Sequence, residues 1–221
     1  MTKRIAIYRG PGTSPDFLDG APLSPEEVIE GKWIHHYTHF IMPGGRDRPY
    51  HAALSGRGNE RLRAFVEQGG TYIGLCAGAY YGASRIEFAL GTPLEIVETR
   101  ELAFFPGVAS GPAFGTYDYN SNLGARAALI SPTLHVYHNG GCFFTGDLSR
   151  CRILARYEEL EGKPAAIIEC RIGRGRALLS GPHIERSVKD LSPADPHLAP
   201  LIPLLAKSED QRLQLWNNIL N

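Results

Sequence analysis

The apolar run Thr71-Tyr72-Ile73 leads straight into Gly74-Leu75-Cys76-Ala77-Gly78-Ala79, and this junction constrains the chain more than any other. The run reads as a buried strand, and the small residues after Cys76 as a helix able to pack tightly on a sheet. Glycines two before and two after the cysteine permit a sharp strand-to-helix turn, because no Cβ blocks the close backbone approach. Such a turn lifts the central side chain above the sheet edge and brings backbone N–H groups near it. A free cysteine is more often a small buried core residue. Here the flanking glycines favour a reactive thiol.

The segments around the junction predict an α/β domain. Arg4–Tyr8, His39–Met42 and Thr71–Leu75 read as strands, and Pro25–Glu30, Asn59–Gln68 and Ala77–Arg85 as helices. Asn59–Gln68 places Leu62, Phe65 and Val66 on one face and stops at Gly69-Gly70, a helix-ending signal. Alternation of this kind favours a mostly parallel central sheet covered on both faces. From Glu101 to Thr145 the chain is rich in Gly, Pro, Asn and Tyr. That predicts an inserted antiparallel and loop region at about 101–145, with short strands at Leu134–Tyr137 and Cys142–Thr145. Arg152–Tyr157, Ala165–Arg171 and Arg176–Ser180 read as further strands, and Glu209–Leu220 as a closing helix carrying Leu213, Trp216 and Leu220. Without repeat or linker, one domain over residues 1–221 is expected.

Charge and cysteine usage exclude several function classes. Lys+Arg and Asp+Glu both count 23 with no block of like charge, which argues against a nucleic-acid or membrane-surface partner. Ile5-Ala6-Ile7-Tyr8 is too short for the core of a signal peptide, and no apolar run approaches a membrane span. Cys76, Cys142, Cys151 and Cys170 show no Cys-x-x-Cys spacing, so zinc and a disulfide framework are not expected. Free thiols point to a reducing compartment and a cytoplasmic protein. Cys142, Cys151 and Cys170 lie in or beside apolar runs and read as core. His35, His36 and His39 have no nearby Cys, Asp or Glu to complete a ligand set, so neither a metal nor another cofactor is expected.

A thiol nucleophile needs a base, an orienter for that base and donors for an oxyanion. His183 follows Ala177-Leu178-Leu179, just past a strand end, and parallel sheets gather such residues along one edge. Glu185, two residues on, lies on the same side of an extended segment and can orient the imidazole. Pro43-Gly44-Gly45 follows the strand ending at Met42. The N–H of Gly45 with that of Ala77 makes a two-donor oxyanion hole. Gly44 is a candidate for the substrate pocket. Tyr80, Tyr81, Tyr137, Asn139, Asp47 and Tyr50 sit in elbow, loop or insert segments, where pocket lining and plain packing are equally open readings.

Pro43-Gly44-Gly45, the Cys76 elbow and His183-x-Glu185 together resemble class I glutamine amidotransferases. The longer strings Tyr72-Ile73-Gly74-Leu75-Cys76-Ala77-Gly78-Ala79-Tyr80-Tyr81, Arg100-Glu101-Leu102-Ala103-Phe104-Phe105-Pro106-Gly107 and Val136-Tyr137-His138-Asn139-Gly140-Gly141 are narrower. They resemble the amidotransferase-like N-terminal domain of biotin–protein ligases, in a stand-alone bacterial form, from about Arg4 to Ser187. The resemblance implies a flavodoxin-like three-layer sandwich, with Cys76 as nucleophile, His183 as general base and acid, and Glu185 as its orienter. It implies hydrolysis of a carbon–nitrogen amide bond in a small-molecule substrate through a thioester. No synthetase-like segment follows in the sequence, so a separate synthetase or ligase partner is the expectation, with the oligomeric state left open. Ile184 stands where the usual His-Pro-Glu ending has proline, a change the spacing tolerates. A non-catalytic regulatory or ligand-sensing module with the same fold is the alternative. A redox or carbonyl-handling protein is a third, although many of those carry histidine where Ala77 stands. Gly173-Arg174-Gly175-Arg176 matches the start of the ligases' nucleotide loop, but Ala177-Leu178-Leu179-Ser180-Gly181 departs from it. A β-turn is expected there, with no ATP or biotin bound.

Overall fold

The computed structural model describes residues 3–14 and 18–221. The strands in chain order are β1 (Ile5–Tyr8), β2 (Ala21–Leu23), β3 (His39–Met42), β4 (Thr71–Leu75), β5 (Ala83–Phe88), β6 (Ile96–Thr99) and β7 (Phe105–Gly111). They continue with β8 (Arg126–Ser131), β9 (Leu134–His138), β10 (Phe143–Thr145), β11 (Cys151–Arg156), β12 (Ala165–Ile172) and β13 (Gly175–Ser180). The helices are α1 (Pro25–Glu30), α2 (Asp47–Leu54), α3 (Arg57–Glu67), α4 (Ala77–Gly82), α5 (Ile202–Lys207) and α6 (Glu209–Leu220). Eleven strands form one mixed sheet in the order β2-β1-β3-β4-β13-β12-β10-β7-β5-β6, with β11 on β12 outside that path. From β2 to β13 every neighbour is parallel. Beyond β13 the pairs are antiparallel except β5 with β7.

Strand alternation sends successive side chains to opposite faces, and both faces are covered. Ala6, Tyr8, Phe40, Met42, Tyr72 and Leu179 pack with Val28 of α1, Leu54 of α2 and Leu62, Phe65 and Val66 of α3. Ile7, Ile41, Ile73, Leu75 and Leu178 pack on the other side with the β8–β9 hairpin and with Ile219 of α6. The result is an α/β sandwich of three layers. Local signals set the helix ends. Ser24 and Glu27 form a reciprocal capping box at the start of α1, and Gly31 at φ 79 ends it, as capping chemistry predicts.

Strands β3 and β4 and helices α1 and α6 have the bounds read from the sequence. Other elements differ. The helix expected over Ala77–Arg85 stops at Gly82, and β5 follows, with Ile86 and Phe88 buried while Arg85 is exposed. Alternation in that stretch outweighs the helical small residues before it. The insert expected at about 101–145 is only partly separate: β7 and β10 join the main sheet, and the β8–β9 hairpin stands apart. Leu213 is exposed on α6, and Trp216 and Leu220 pack part-buried on the second cluster. Gly173 at φ 57 makes the expected turn between β12 and β13. No helix among the described residues is long and apolar enough to cross a membrane.

One buried ion network ties the start of α2 to the residue after β6. Arg100, whose side chain is 1% exposed, donates from Nε to Asp47 at 2.8 Å and from Nη2 to Glu98 at 2.7 Å. Burial pushes the Asp47 carboxyl up, against the pull of Arg100. Removing one member of such a pair strands the other in low dielectric. Arg100→Ala is expected to lower the free energy of urea unfolding by about 3–5 kcal/mol. Adding Asp47→Asn recovers part of that loss.

Candidate active site

Cys76 joins β4 to α4 at φ 49 and ψ −104, a backbone region that a residue with a Cβ seldom enters. Its N–H donates to Ser180 O at 2.8 Å, at the end of β13. The flanking glycines are needed for close packing rather than for a left-handed backbone. A Cβ on Gly74 would collide with Gly78 O, and one on Gly78 with Met42 O. The Gly78 N–H donates to Pro43 O at 3.2 Å, so the elbow and the loop after β3 brace each other.

That loop is pinned from two more sides. Tyr50, fully buried on α2, donates its hydroxyl to Gly44 O at 2.9 Å. Ser14 N–H donates to Gly44 O at 3.0 Å and Arg46 N–H to Gly12 O at 2.8 Å. Those bonds flank Gly45, at φ 137, without drawing on its own N–H. Gly44 lies against the imidazole of His183: a Cβ there would sit 2.6 Å from Cε1. The N–H of Ala77, at the first position of α4, belongs to the group that a helix leaves without an internal partner.

His183 follows β13 and is held by its backbone N–H, which donates to Tyr137 O at 2.8 Å. Its Nδ1 is 2.7 Å from Glu185 Oε1. Burial pulls the imidazole down, but the Glu185 carboxylate and the Cys76 side chain outweigh it, and His183 is raised to about 10. Cys76 is 7% exposed, and its thiol donates to Asn139 O at 3.6 Å.

These groups share a cleft of about 190 Å³ lined by Gly44, Gly45, Cys76, Tyr137, Asn139, His183 and Glu185. A smaller recess that also reaches Cys76 is lined by Gly45, Asp47, Ala77, Tyr80 and Phe88. Asp47 reaches that recess while bound to Arg100, and Tyr80 while donating to Gly140 O at 3.0 Å. Tyr81 lines neither. It is fully buried and donates to Asn59 Oδ1 at 2.6 Å, because the helix turns it from the elbow toward α3. Of the two readings open for Tyr81, these contacts fit packing. Cys142 and Cys170 are buried, as expected, and Cys151 is half-buried. His39 is buried and pulled down to about 4, by burial first. No metal-binding cluster exists among the described residues.

The family model for the N-terminal part of biotin–protein ligase matches residues 4–221. The chain belongs to that family. It is 38% identical over 208 residues to an uncharacterized protein of Chlamydia muridarum, covering 83% of this chain and 80% of that one. It is 36% identical over 217 residues to the biotin–protein ligase of Schizosaccharomyces pombe, covering 92% of this chain. The match spans 32% of the yeast protein. Among solved structures, a glutamine amidotransferase aligns with a TM-score of 0.55 at 18% identity, over 92% of this chain and 86% of that one. PurLQS from Thermotoga maritima aligns with a TM-score of 0.58 at 14% identity, over 98% and 99%. These two show the class I amidotransferase-like fold for this member of the biotin–protein ligase N-terminal family.

Several cleft residues of this family member escaped sequence reasoning. Tyr117, Asp118, Tyr119 and Asn122 come from the loop between β7 and β8, and Arg186 directly follows Glu185. The tyrosine-rich composition of that loop was a signal for the first group. For Arg186, adjacency to Glu185 was the clue.

The His183–Glu185 pair has a pH signature. A folded-state value raised to about 10 means that the pair stabilises the fold fully below the ordinary histidine value near 6.5. That contribution is lost as pH rises through about 10. Glu185→Gln is therefore expected to cost more unfolding free energy near pH 6 than near pH 10.5. Urea titrations of both proteins at the two pH values check this, and an equal cost at both refutes a charged pair.

Proposed function

We propose that this chain is a cysteine-dependent hydrolase of carbon–nitrogen amide bonds. The observation that carries the reading is the imidazole of His183, bound through Nδ1 to Glu185 at 2.7 Å and lining one cleft with Cys76. With Nδ1 engaged, Nε2 is the nitrogen left to exchange a proton with sulfur. Cys76 Sγ attacks the amide carbonyl as a thiolate whose proton the His183 imidazolium holds. The carbonyl oxygen becomes an oxyanion facing the N–H groups of Gly45 and Ala77. Collapse breaks the carbon–nitrogen bond as His183 protonates the leaving amine, leaving a thioester on Cys76. Water then attacks the thioester, His183 takes its proton, and the acid leaves with the thiol restored.

The solved glutamine amidotransferase makes glutamine the first amide to test. A separate synthetase or ligase that takes up released ammonia belongs to the same proposal. With an amide panel, Cys76→Ala is expected to abolish turnover and His183→Ala to lower kcat by about 10²–10⁴-fold. Iodoacetamide is expected to modify Cys76 ahead of Cys142, Cys151 and Cys170. Labelling of Cys76 no faster than those three, with no amide turned over, sinks the proposal in favour of a ligand-sensing module.

A further inference from the structure

The contact between β11 and β12 opens with Cys151 directly opposite Cys170. Both are free thiols, and their sulfurs lie 2.8 Å apart. The N–H of Cys151 is spent on Leu148 O at 3.0 Å, in the turn before β11. That marks the pair as the non-hydrogen-bonded kind, in which facing Cα atoms approach to about 4.5 Å. Disulfides span Cα separations of roughly 4.4–6.8 Å, so the register already fits one. The two thiols also differ in access. Cys151 is half-buried on a strand that, among the described residues, pairs with β12 alone, whereas Cys170 opposite it is buried. Of the two, Cys151 is the one more open to a reagent, and its sulfur is within reach of the second.

We propose that Cys151 and Cys170 are a reversible redox pair that closes a cross-strand disulfide by exchange with a small-molecule disulfide such as oxidised glutathione. Cys151, as thiolate, attacks one sulfur of the reagent and expels one glutathione thiolate, leaving a mixed disulfide. Cys170 gives its proton to solvent, attacks Cys151 Sγ and expels the second glutathione. Two protein thiols are oxidised while one small disulfide is reduced to two thiols, so atoms and electrons balance. Burial, with Asp147 near Cys151 and Glu169 near Cys170, pushes both thiols up, which makes the exchange slow at neutral pH. The closed form staples β11 to β12. Near its other end β12 accepts the Gly181 N–H at Ala166 O, 2.9 Å, two residues before His183. The chemistry is independent of Cys76 and of the proposed hydrolysis.

The test equilibrates the full chain with oxidised and reduced glutathione near pH 8.5, followed by alkylation, peptide mapping and thermal unfolding. The expected product is a Cys151–Cys170 cross-link with a mass loss of about 2 Da, reversed by dithiothreitol. Its unfolding midpoint rises by several degrees, because the closed loop restricts the unfolded chain. Cys151→Ala removes both effects, and Cys76→Ala removes neither. If Cys151 stops at the glutathione adduct, or the pair stays reduced while the urea-unfolded chain oxidises, the proposal is overturned. Mapping on the unsubstituted chain decides this even if Cys151→Ala fails to fold.

Discussion

A cysteine held at φ 49 and ψ −104 carries backbone strain of about 1–3 kcal/mol, which persists only where the surroundings leave no alternative. Here the surroundings are three adjacent strand ends. The Cys76 N–H is tied to the end of β13, and the Gly78 N–H to the loop that ends β3. Any Cβ at Gly74 or Gly78 would meet backbone oxygen. Because β3, β4 and β13 are parallel neighbours, with Met42 beside Gly74 and Leu75 beside Ser180, their ends share one edge. The glycine loop, the elbow and the histidine turn therefore emerge together. A slip of one residue in β4 would turn Tyr72 and Ile73 to the wrong faces as well as misplace the thiol. Core packing and site geometry are thus set by the same register.

The electrostatics of the site turn on one carboxylate. His138 is buried, whereas His183 lines the cleft with its side chain 12% exposed, and the two shift in opposite directions. His138 has only the Gly141 carbonyl at 3.2 Å for its Nε2, and burial pulls it down to about 3. Desolvation also pulls on His183, but Glu185 and Cys76 raise it to about 10. Desolvation disfavours a buried imidazolium unless an opposite charge compensates it. Glu185 is that charge, and its second oxygen is buried without a partner. An unsatisfied carboxylate oxygen is costly, so the arrangement favours an imidazolium at this position over local stability.

What the sequence made legible follows from how locally each feature is encoded. Strands β3 and β4 are buried on both faces and read as unbroken apolar runs, so their bounds were recoverable. Helix α2 was not, because its buried residues are Asp47, Tyr50 and Leu54 and Pro49 interrupts the pattern. Strand β5 was masked by the small residues of α4 that precede it. Cys76, His183 and Glu185 were readable because each follows a strand closely, and a strand end fixes where the next residues lie. The pairing of Cys151 with Cys170 is a different matter. It depends on the register of an antiparallel ladder between residues with no motif joining them, and periodicity does not encode that register.

The same distinction separates reaction class from substrate. The thiol, imidazole and glycine loop ride on parallel strands whose packing cannot change without unfolding the centre of the sheet. The facing wall is built otherwise. Tyr117, Asp118 and Tyr119 lie in the loop after β7, Tyr137 and Asn139 at the end of β9 and beyond it, and the guanidinium of Arg186 over the Tyr137 ring at 4.8 Å. Loops of that kind vary while the scaffold holds. The fold match to solved amidotransferases at 14–18% identity therefore carries the sheet and its elbow, not the wall. Acidic and basic side chains both line the cleft, Asp118, Glu185 and Asp190 against Arg186. Selection of a ligand rests on how those charges are divided between internal bonds and the open cleft. Asp118 is already bound by Asn120 N–H and the Ser121 hydroxyl, and Asp190 by Ser187 N–H, whereas Arg186 Nε is buried without an acceptor. Those neutral donors fix the orientation of the carboxylates without cancelling their charge, so a ligand meets both signs on one wall.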